Sequence, residues 1–410
     1  MMPVLIAAFL AVLLCEASSF FHGGRAHQLT RRFSSNADTA STQSEATAQE
    51  KDVVQRKEFT LSCREEDDAC GVYLNITESG IGFLGPTSYS QQVSIKWEGG
   101  PARVLVLAKP DEEITPSVEK AILSLWKRGI DVIVEEDVYQ HMNSGSHISK
   151  ESLSILDLNK KQGIDLVLTF GGDGLLMHCN SMFGANTIPP IMSFDFGSLG
   201  FLSPFEYENF DYELDRLINE GCMVTLRMRL QCPIHKKGPD GNYAQTGETI
   251  HALNEVVIDR GPASFLSVLD ISCDNRYMTT LQGDGIIIAT PTGSTAYSLA
   301  AGGSMVHPSV PAILLTPICA HTLSFRPLLV PDSAVLECAV PDDCRASGWA
   351  SFDGKSRTEL ERGDFLRVQL SLFPMPTVQR ANFTTDWFDA LRSGFMFNER
   401  PRQSSKIPLK

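Results

Sequence analysis

Apolar and polar positions change their rhythm twice along this chain. From Arg103 onward, apolar runs of strand length alternate with amphipathic stretches of helical length. RVLVLA (103–108) reads as a buried strand, residues 117–127 as a helix and IDVIVE (130–135) as a second strand. IDLVLTF (164–170) is a third strand that ends in glycines, and PPIMSF (189–194) a fourth. This interleaving predicts an α/β domain with a parallel sheet, whose ligands sit at the carboxyl ends of the strands. Beyond about Arg227 the texture becomes short β-rich runs, EVVID, FLSVLDISC, IIIAT, AVLECAV and FLRVQLSLF, punctuated by Gly, Asp, Asn and Pro. That pattern predicts an all-β sandwich as the C-terminal domain. The closing DWFDALRSGF (386–395) is amphipathic and reads as a helix packing back on the rest.

The N-terminal part follows neither rhythm. Residues 3–15 (PVLIAAFLAVLLC) form an apolar run shorter than the ~20 residues a bilayer span needs, so an address is expected rather than stable membrane insertion. Small residues and Phe20-Phe21 follow, then Arg25, Arg31 and Arg32, with no acid between Glu16 and Asp38. A signal peptide ahead of an Arg/Ser-rich, acid-poor segment resembles the two-part leader of plastid proteins; a mitochondrial presequence and simple secretion are the alternatives. Residues 34–57 are polar and read as a disordered linker. The expected division is therefore leader and linker (1–57), N-terminal extension (58–100), α/β domain (101–226), β-sandwich (227–375), and C-terminal helix with tail (376–410).

Charge removes one class of partner. Against 35 basic residues stand 49 acidic ones, a formal net charge of −14, and no Lys/Arg-rich block occurs. Nucleic-acid binding is not expected. Anionic nucleotides remain open, because backbone N–H groups and helix N-termini act locally. The ten cysteines form no CxxC pair and no zinc-ligand spacing with histidine, so no resident metal ligand is assigned.

Three segments carry chemistry. Gly171-Gly172-Asp173-Gly174 lies between a buried strand and a helix predicted to begin near Leu175. Glycines let a backbone approach a bulky anion, and a helix N-terminus offers free N–H donors. Asp173 stands where it could take a proton from, or orient, a hydroxyl that attacks phosphorus. Read alone, the turn is equally an Asp-capped structural bend. The second segment runs from Asp284 through a strand into Thr290-Pro291-Thr292-Gly293-Ser294-Thr295-Ala296-Tyr297. Its hydroxyls read as a cup for a ribose and Tyr297 as a platform for a base, against the simpler reading of a Ser/Thr-rich helix cap. The third is Asn254-Glu255 at a strand start, a pair able to bind both hydroxyls of a ribose but, by itself, more often a turn.

Together these segments acquire a family likeness. GGDG, GSLGFLSPF (197–205), NEVVIDRGP, QGDGIIIATPTGSTAYSLAAGG, HPSVPAILLTPICAHTLSFRPLLVP (307–331) and SFDGK (351–355) occur in the order expected of a eukaryotic-type NAD kinase. The match runs from about Trp97 to Phe388, some seven-tenths of the chain. GGDG alone is shared with phosphofructokinases and with diacylglycerol and sphingosine kinases; TPTGSTAY separates the NAD kinases from the lipid kinases. The resemblance implies transfer of the γ-phosphate of ATP, with Mg²⁺, to the 2′-hydroxyl of the adenosine ribose of NAD, in a homo-oligomer with the site between two domains. It implies Asp173 as the catalytic residue. Gly171, Gly172, Gly174 and Phe201 would line the nucleotide, with Asn254, Glu255, Asp284, Thr292, Thr295, Ala296 and Tyr297 as the remaining binding residues.

One position departs from the family pattern. Thr usually follows GGDG, and here Leu175 stands in its place. A hydrogen bond to a charged group is typically worth ~1.5–3 kcal/mol. Its loss would slow turnover or weaken donor binding roughly ten- to a hundred-fold. A dinucleotide sensor with weak or no catalysis is accordingly the alternative function, and a lipid kinase of related fold a third. No Walker loop, HRD, HExxH or GxSxG is present.

Overall fold

The structure is a computed structural model that describes residues 92–142, 148, 153–158, 162–196, 200–322, 324–395 and 397, with the strands Phe59–Cys63, Tyr73–Thr77 and Gly80–Leu84. These residues all belong to one compact unit of the chain. The segment read as leader and linker, residues 1–57, lies outside them. No helix among the described residues is long and apolar enough to cross a membrane.

The chain up to Arg227, joined by the strand Met375–Val378, builds a ten-stranded mixed sheet. Its order is Phe59–Cys63, Gln92–Trp97, Cys222–Arg227, Met375–Val378, Ile191–Asp195, Leu166–Phe170, Arg103–Ala108, Asp131–Val134 and Ser154–Ile155, with Phe205–Glu206 beside Ile191–Asp195. From Met375–Val378 to Ser154–Ile155 every pairing is parallel. On the other side the pairings are antiparallel. Helices connect successive strands within this parallel part, except that Met375–Val378 joins it from the far end of the chain. Cys222–Arg227 and Met375–Val378 instead meet as neighbours after the whole second half of the chain has intervened.

Both faces of the parallel part are covered, which explains its nearly uninterrupted apolar runs. Val104 and Val106 point to the face packed by helices α1 (Thr115–Lys127), α2 (Glu136–Met142) and α4 (Phe210–Glu220), while Leu105 and Leu107 point to the face of α3 (Asp173–Phe183). Helix α3 buries Leu176, Cys179 and Asn180, the i, i+3, i+4 stripe expected of a helix lying on a sheet. Two of those three are apolar; the third is an amide, and its partners matter below.

The second half forms two six-stranded sheets, antiparallel throughout, with a shared core that includes Leu230, Ile258, Leu269, Ile271, Ile286, Ile288, Leu336 and Val368. In one of them the strand Glu255–Asp259 lies between Gly285–Ala289 and Gly348–Phe352. Glu255 faces Ala289 and Val256 faces Phe352, so the chain reaches Asn254, Thr290 and Asp353 at one end of this sheet. Short helix α5 (Tyr297–Ala300) and C-terminal helix α6 (Phe383–Phe395) follow.

Candidate active site

Asp173 opens α3 directly after the strand Leu166–Phe170, and Gly172, in an extended conformation, is its N-cap. Gly171 has φ +148°, a value that favours glycine, and a Cβ there would meet Leu175 Cδ1 at 2.9 Å. Leu175 therefore leans over the turn, filling space with hydrocarbon at the position where the family pattern has a hydroxyl. Added Cβ atoms at Gly172 and Gly174 would meet nothing within 4 Å, so that side of the turn is open.

The Asp173 carboxylate is held by the loop that follows the adjacent strand Ile191–Asp195. It accepts the backbone N–H of Phe201 at 3.0 Å, that of Leu202 at 3.0 Å and the hydroxyl of Ser203 at 3.3 Å. Gly200 completes the clasp: a Cβ on it would lie 2.2 Å from Asp173 Oδ1. Burial raises the Asp173 carboxyl above the ordinary range, against the pull of these donors and of Arg227.

At the end of the antiparallel sheet, the Asn254-Glu255 turn and the Thr290–Tyr297 loop interlock. Thr290 N–H donates to Asn254 O at 2.8 Å and its hydroxyl to Leu253 O at 2.6 Å. A Cβ on Gly293 would fall 2.1 Å from Asn254 O, so only glycine permits this approach. The sequence suggested that the loop's hydroxyls face a sugar; most are spent inside instead. Ser294 bridges to the backbone of Val306, Ser298 to Thr316, and Thr295 to Thr292 O. Thr292 accepts from Arg227 Nη1 at 3.4 Å. The loop's outward groups are the 46% exposed ring of Tyr297 and the polypeptide around Ala296.

Glu255 stands behind them. Its carboxylate accepts the Tyr297 N–H and is pushed up to about 7, first by burial and then by the charge of Asp353. Its buried Oε2 has no hydrogen-bond partner. A buried acceptor without a donor costs about 1–3 kcal/mol, and a ligand hydroxyl is one way to relieve it.

Two bridges join the halves. Arg227, at the end of the first sheet, sends Nε to Thr377 Oγ1 at 3.0 Å and Nη1 to Thr292, while its charge acts on Asp173. Burial lowers its pKa to about 10. Arg227 also lines a recess with Phe201, Leu202, Asp386 and Trp387, so α6 closes over the same region. The second bridge is Asn180 on α3, which donates to His251 O at 2.8 Å and to Asp353 Oδ2 at 3.1 Å. It accepts from the fully buried Arg229 at 2.9 Å.

Of the residues singled out from sequence, the structure thus groups Asp173 with its glycines and Phe201, and Asn254 and Glu255 with Thr292, Thr295, Ala296 and Tyr297. Asp284 stands apart. It precedes the five-residue strand that Thr290 follows, six residues and roughly 20 Å away at ~3.4 Å per residue. There it pairs with Arg260 at 2.9 Å. Gly200, Ser203, Arg227, Asn180 and Asp353 were given no role by sequence reasoning. Only Asp353 had a local signal, an Asp-Gly pair at which Asp353 adopts φ +48°.

Comparison with known proteins identifies the family. The model described as the ATP-NAD kinase N-terminal domain matches residues 104–222, and that of the ATP-NAD kinase C-terminal domain residues 253–380. NAD kinase 2, chloroplastic, of Arabidopsis thaliana is 40% identical over 363 residues, covering 86% of this chain and 36% of its own. NAD(+) kinase of Saccharomyces cerevisiae is 46% identical over 250 residues, 59% of this chain and 47% of its own. The chain thus spans a third to a half of the length of these relatives. A crystal structure of yeast NADH kinase complexed with NADH superposes with a TM-score of 0.69 at 30% identity, covering 78% of this chain and 96% of that one. With both family regions matched in order and a solved relative followed over nearly its whole length, the chain belongs to the NAD kinase family.

Proposed function

We propose that the protein is an ATP-dependent NAD kinase that phosphorylates the 2′-hydroxyl of the adenosine ribose of NAD to give NADP. The observation that carries this reading is Arg227, which bonds Thr292 of the Tyr297 loop while its charge acts on Asp173 in the open glycine turn. The glycine turn and the N-terminus of α3 would receive the triphosphate. Asn254, Glu255 and Tyr297 would hold the sugar and its base. The ribose oxygen attacks the γ-phosphorus, the bond from that phosphorus to the β,γ-bridging oxygen breaks, ADP leaves, and Asp173 takes the hydroxyl proton. Positioning and charge stabilisation would supply most of the rate. Among the described residues no group of three or more His, Cys, Asp or Glu is placed to hold a metal ion. Magnesium would enter with ATP, as the MgATP substrate.

Asp284 would serve the same reaction from a second copy of the chain, since its own copy places it at the far end of a strand. A homo-oligomer is part of the proposal for that reason. The N-terminal leader, outside the described residues, would direct the protein to a plastid, in keeping with the chloroplastic name of the plant relative.

The test is formation of NADP from NAD and MgATP by purified protein. Asp173→Asn is expected to leave the NAD dissociation constant within about threefold while turnover falls by about three orders of magnitude. Near-normal turnover by that variant would remove Asp173 as the base. NAD binding without NADP formation, even after Leu175→Thr, would favour the sensor reading.

A further inference from the structure

The turn Ser351–Lys355 carries a carboxylate that touches more of the site's framework than any residue named from sequence. Asp353 lies in the tight turn between strands Gly348–Phe352 and Lys355–Leu360, in the left-handed region at φ +48°. Its Oδ1 accepts the N–H groups of Asn254 at 2.8 Å and Glu255 at 3.2 Å. Its Oδ2 accepts that of Leu253 at 2.8 Å and the side-chain amide of Asn180 at 3.1 Å. Asp353 N–H returns to Glu255 O at 2.9 Å.

Three consecutive amides converging on one carboxylate form an anion nest, and that anion is supplied by the protein itself. The nest fixes the backbone of Asn254 and Glu255, and hence the direction in which their side chains leave it. The fourth donor connects this turn to α3, the helix whose first residue is Asp173. Asn180 is itself locked: Arg229, 0% exposed, donates to Asn180 Oδ1 and to the carbonyls of Gly184 and Phe373. A shift of the Asn254–Glu255 turn relative to Asp173 would have to break this chain of charge-assisted bonds.

We infer that Asp353 is a positioning residue for the phosphoryl transfer, setting the ribose-binding turn by its three amides and, through Asn180, registering that turn against Asp173. The inference rests on the kinase reading for its reaction, but the two halves of the device make separable demands on binding and on turnover.

Asp353→Asn is the direct test. Whichever way the new amide turns, its NH₂ faces two of the four donors, so two backbone or side-chain N–H groups lose their acceptor. The dissociation constant for NAD, read by calorimetry, is expected to rise at least tenfold, with the KM for ATP within twofold. The pH dependence of NAD binding is expected to move to lower pH, because the charge of Asp353 helps hold Glu255 protonated; loss of packing alone would not move it. Asn180→Ala leaves the three amides on Asp353 but cuts the link to α3. It is expected to lower kcat about tenfold with NAD affinity within threefold. A folded Asp353→Asn protein that binds NAD as the wild type does would overturn the inference. Should that variant fail to fold, Asn180→Ala decides, and an unchanged kcat overturns it. If the wild-type protein binds NAD yet makes no NADP, the kinase reading fails while calorimetry still judges the three-amide clasp.

Discussion

The two corners of the site are built in opposite ways. At the Asn254 and Thr290–Tyr297 corner, the hydroxyls and carbonyls are paired with one another, and Gly293 presses on the Asn254 carbonyl without room for a methyl group. At the Asp173 corner, two glycines border open space, and the carboxylate is held by donors from a loop on a neighbouring strand. The first corner is preformed; the second is a clasp between two loop ends. Preformed binding surfaces reduce the ordering cost of capturing a ligand. A site of phosphoryl transfer must also accept and release a bulky triphosphate, and open backbone suits that task. The difference teaches that damage to the first corner should appear in affinity and stability, and damage to the second in turnover.

The largest effect that would break this comparison is steric. Gly293→Ala is expected to weaken NAD binding by about a hundredfold or more and to lower the melting temperature by several degrees, since the backbone of Asn254 must move. Gly172→Ala, where a methyl group meets open space, is the matched control and should leave the melt unchanged. Equal melting losses in both variants would erase the distinction between the corners.

A smaller effect comes from Glu255. A carboxyl with its pKa raised to about 7 is largely protonated at pH 6 and largely ionised at pH 8. If the ionised form accepts the ribose hydroxyls, NAD affinity should rise about tenfold between those values, and Glu255→Gln should flatten the profile. The stability sign is opposite. Because the folded pKa lies above the unfolded one, Glu255 lowers stability progressively as pH rises from about 4.5 to about 7, and the penalty persists above that. Chemical denaturation of wild type and Glu255→Gln at pH 5 and 8 measures it.

The smallest expected effect belongs to Leu175→Thr. Restoring a hydroxyl to the first turn of α3 should raise kcat/KM for ATP up to about tenfold. It should also lower stability slightly, because Leu175 packs over Gly171. Unchanged ATP kinetics would mean that the backbone donors already suffice.

Much of this was legible in the order of residues. The alternation of strands and helices, the placement of Asp173 after an apolar strand, and the shared identity of GGDG and TPTGSTAY follow from local pattern and motif chemistry. What was not legible depends on distant contacts. Asn180 looks like one polar residue in an apolar helix stripe until His251, Arg229 and Asp353 arrive from far along the chain. Arg227 and Arg229 carry no local signal in the sequence, yet both are buried and hydrogen-bonded, with Arg229 lowered to about 9 by burial. Asp284 illustrates a different limit: close to Thr290 in sequence, it lies at the other end of the strand between them. Counting those five residues at strand rise would have separated them in advance.

The strand Met375–Val378 has a consequence for how the molecule can come into being. It fills an interior position of the first sheet, between Cys222–Arg227 and Ile191–Asp195. On the ribosome that gap stays open until the entire sandwich has been translated, so the earlier lobe cannot mature ahead of the later one. Severing the gene between the lobes would therefore yield an amino-terminal fragment with two unzipped internal edges, a poor candidate for autonomous expression.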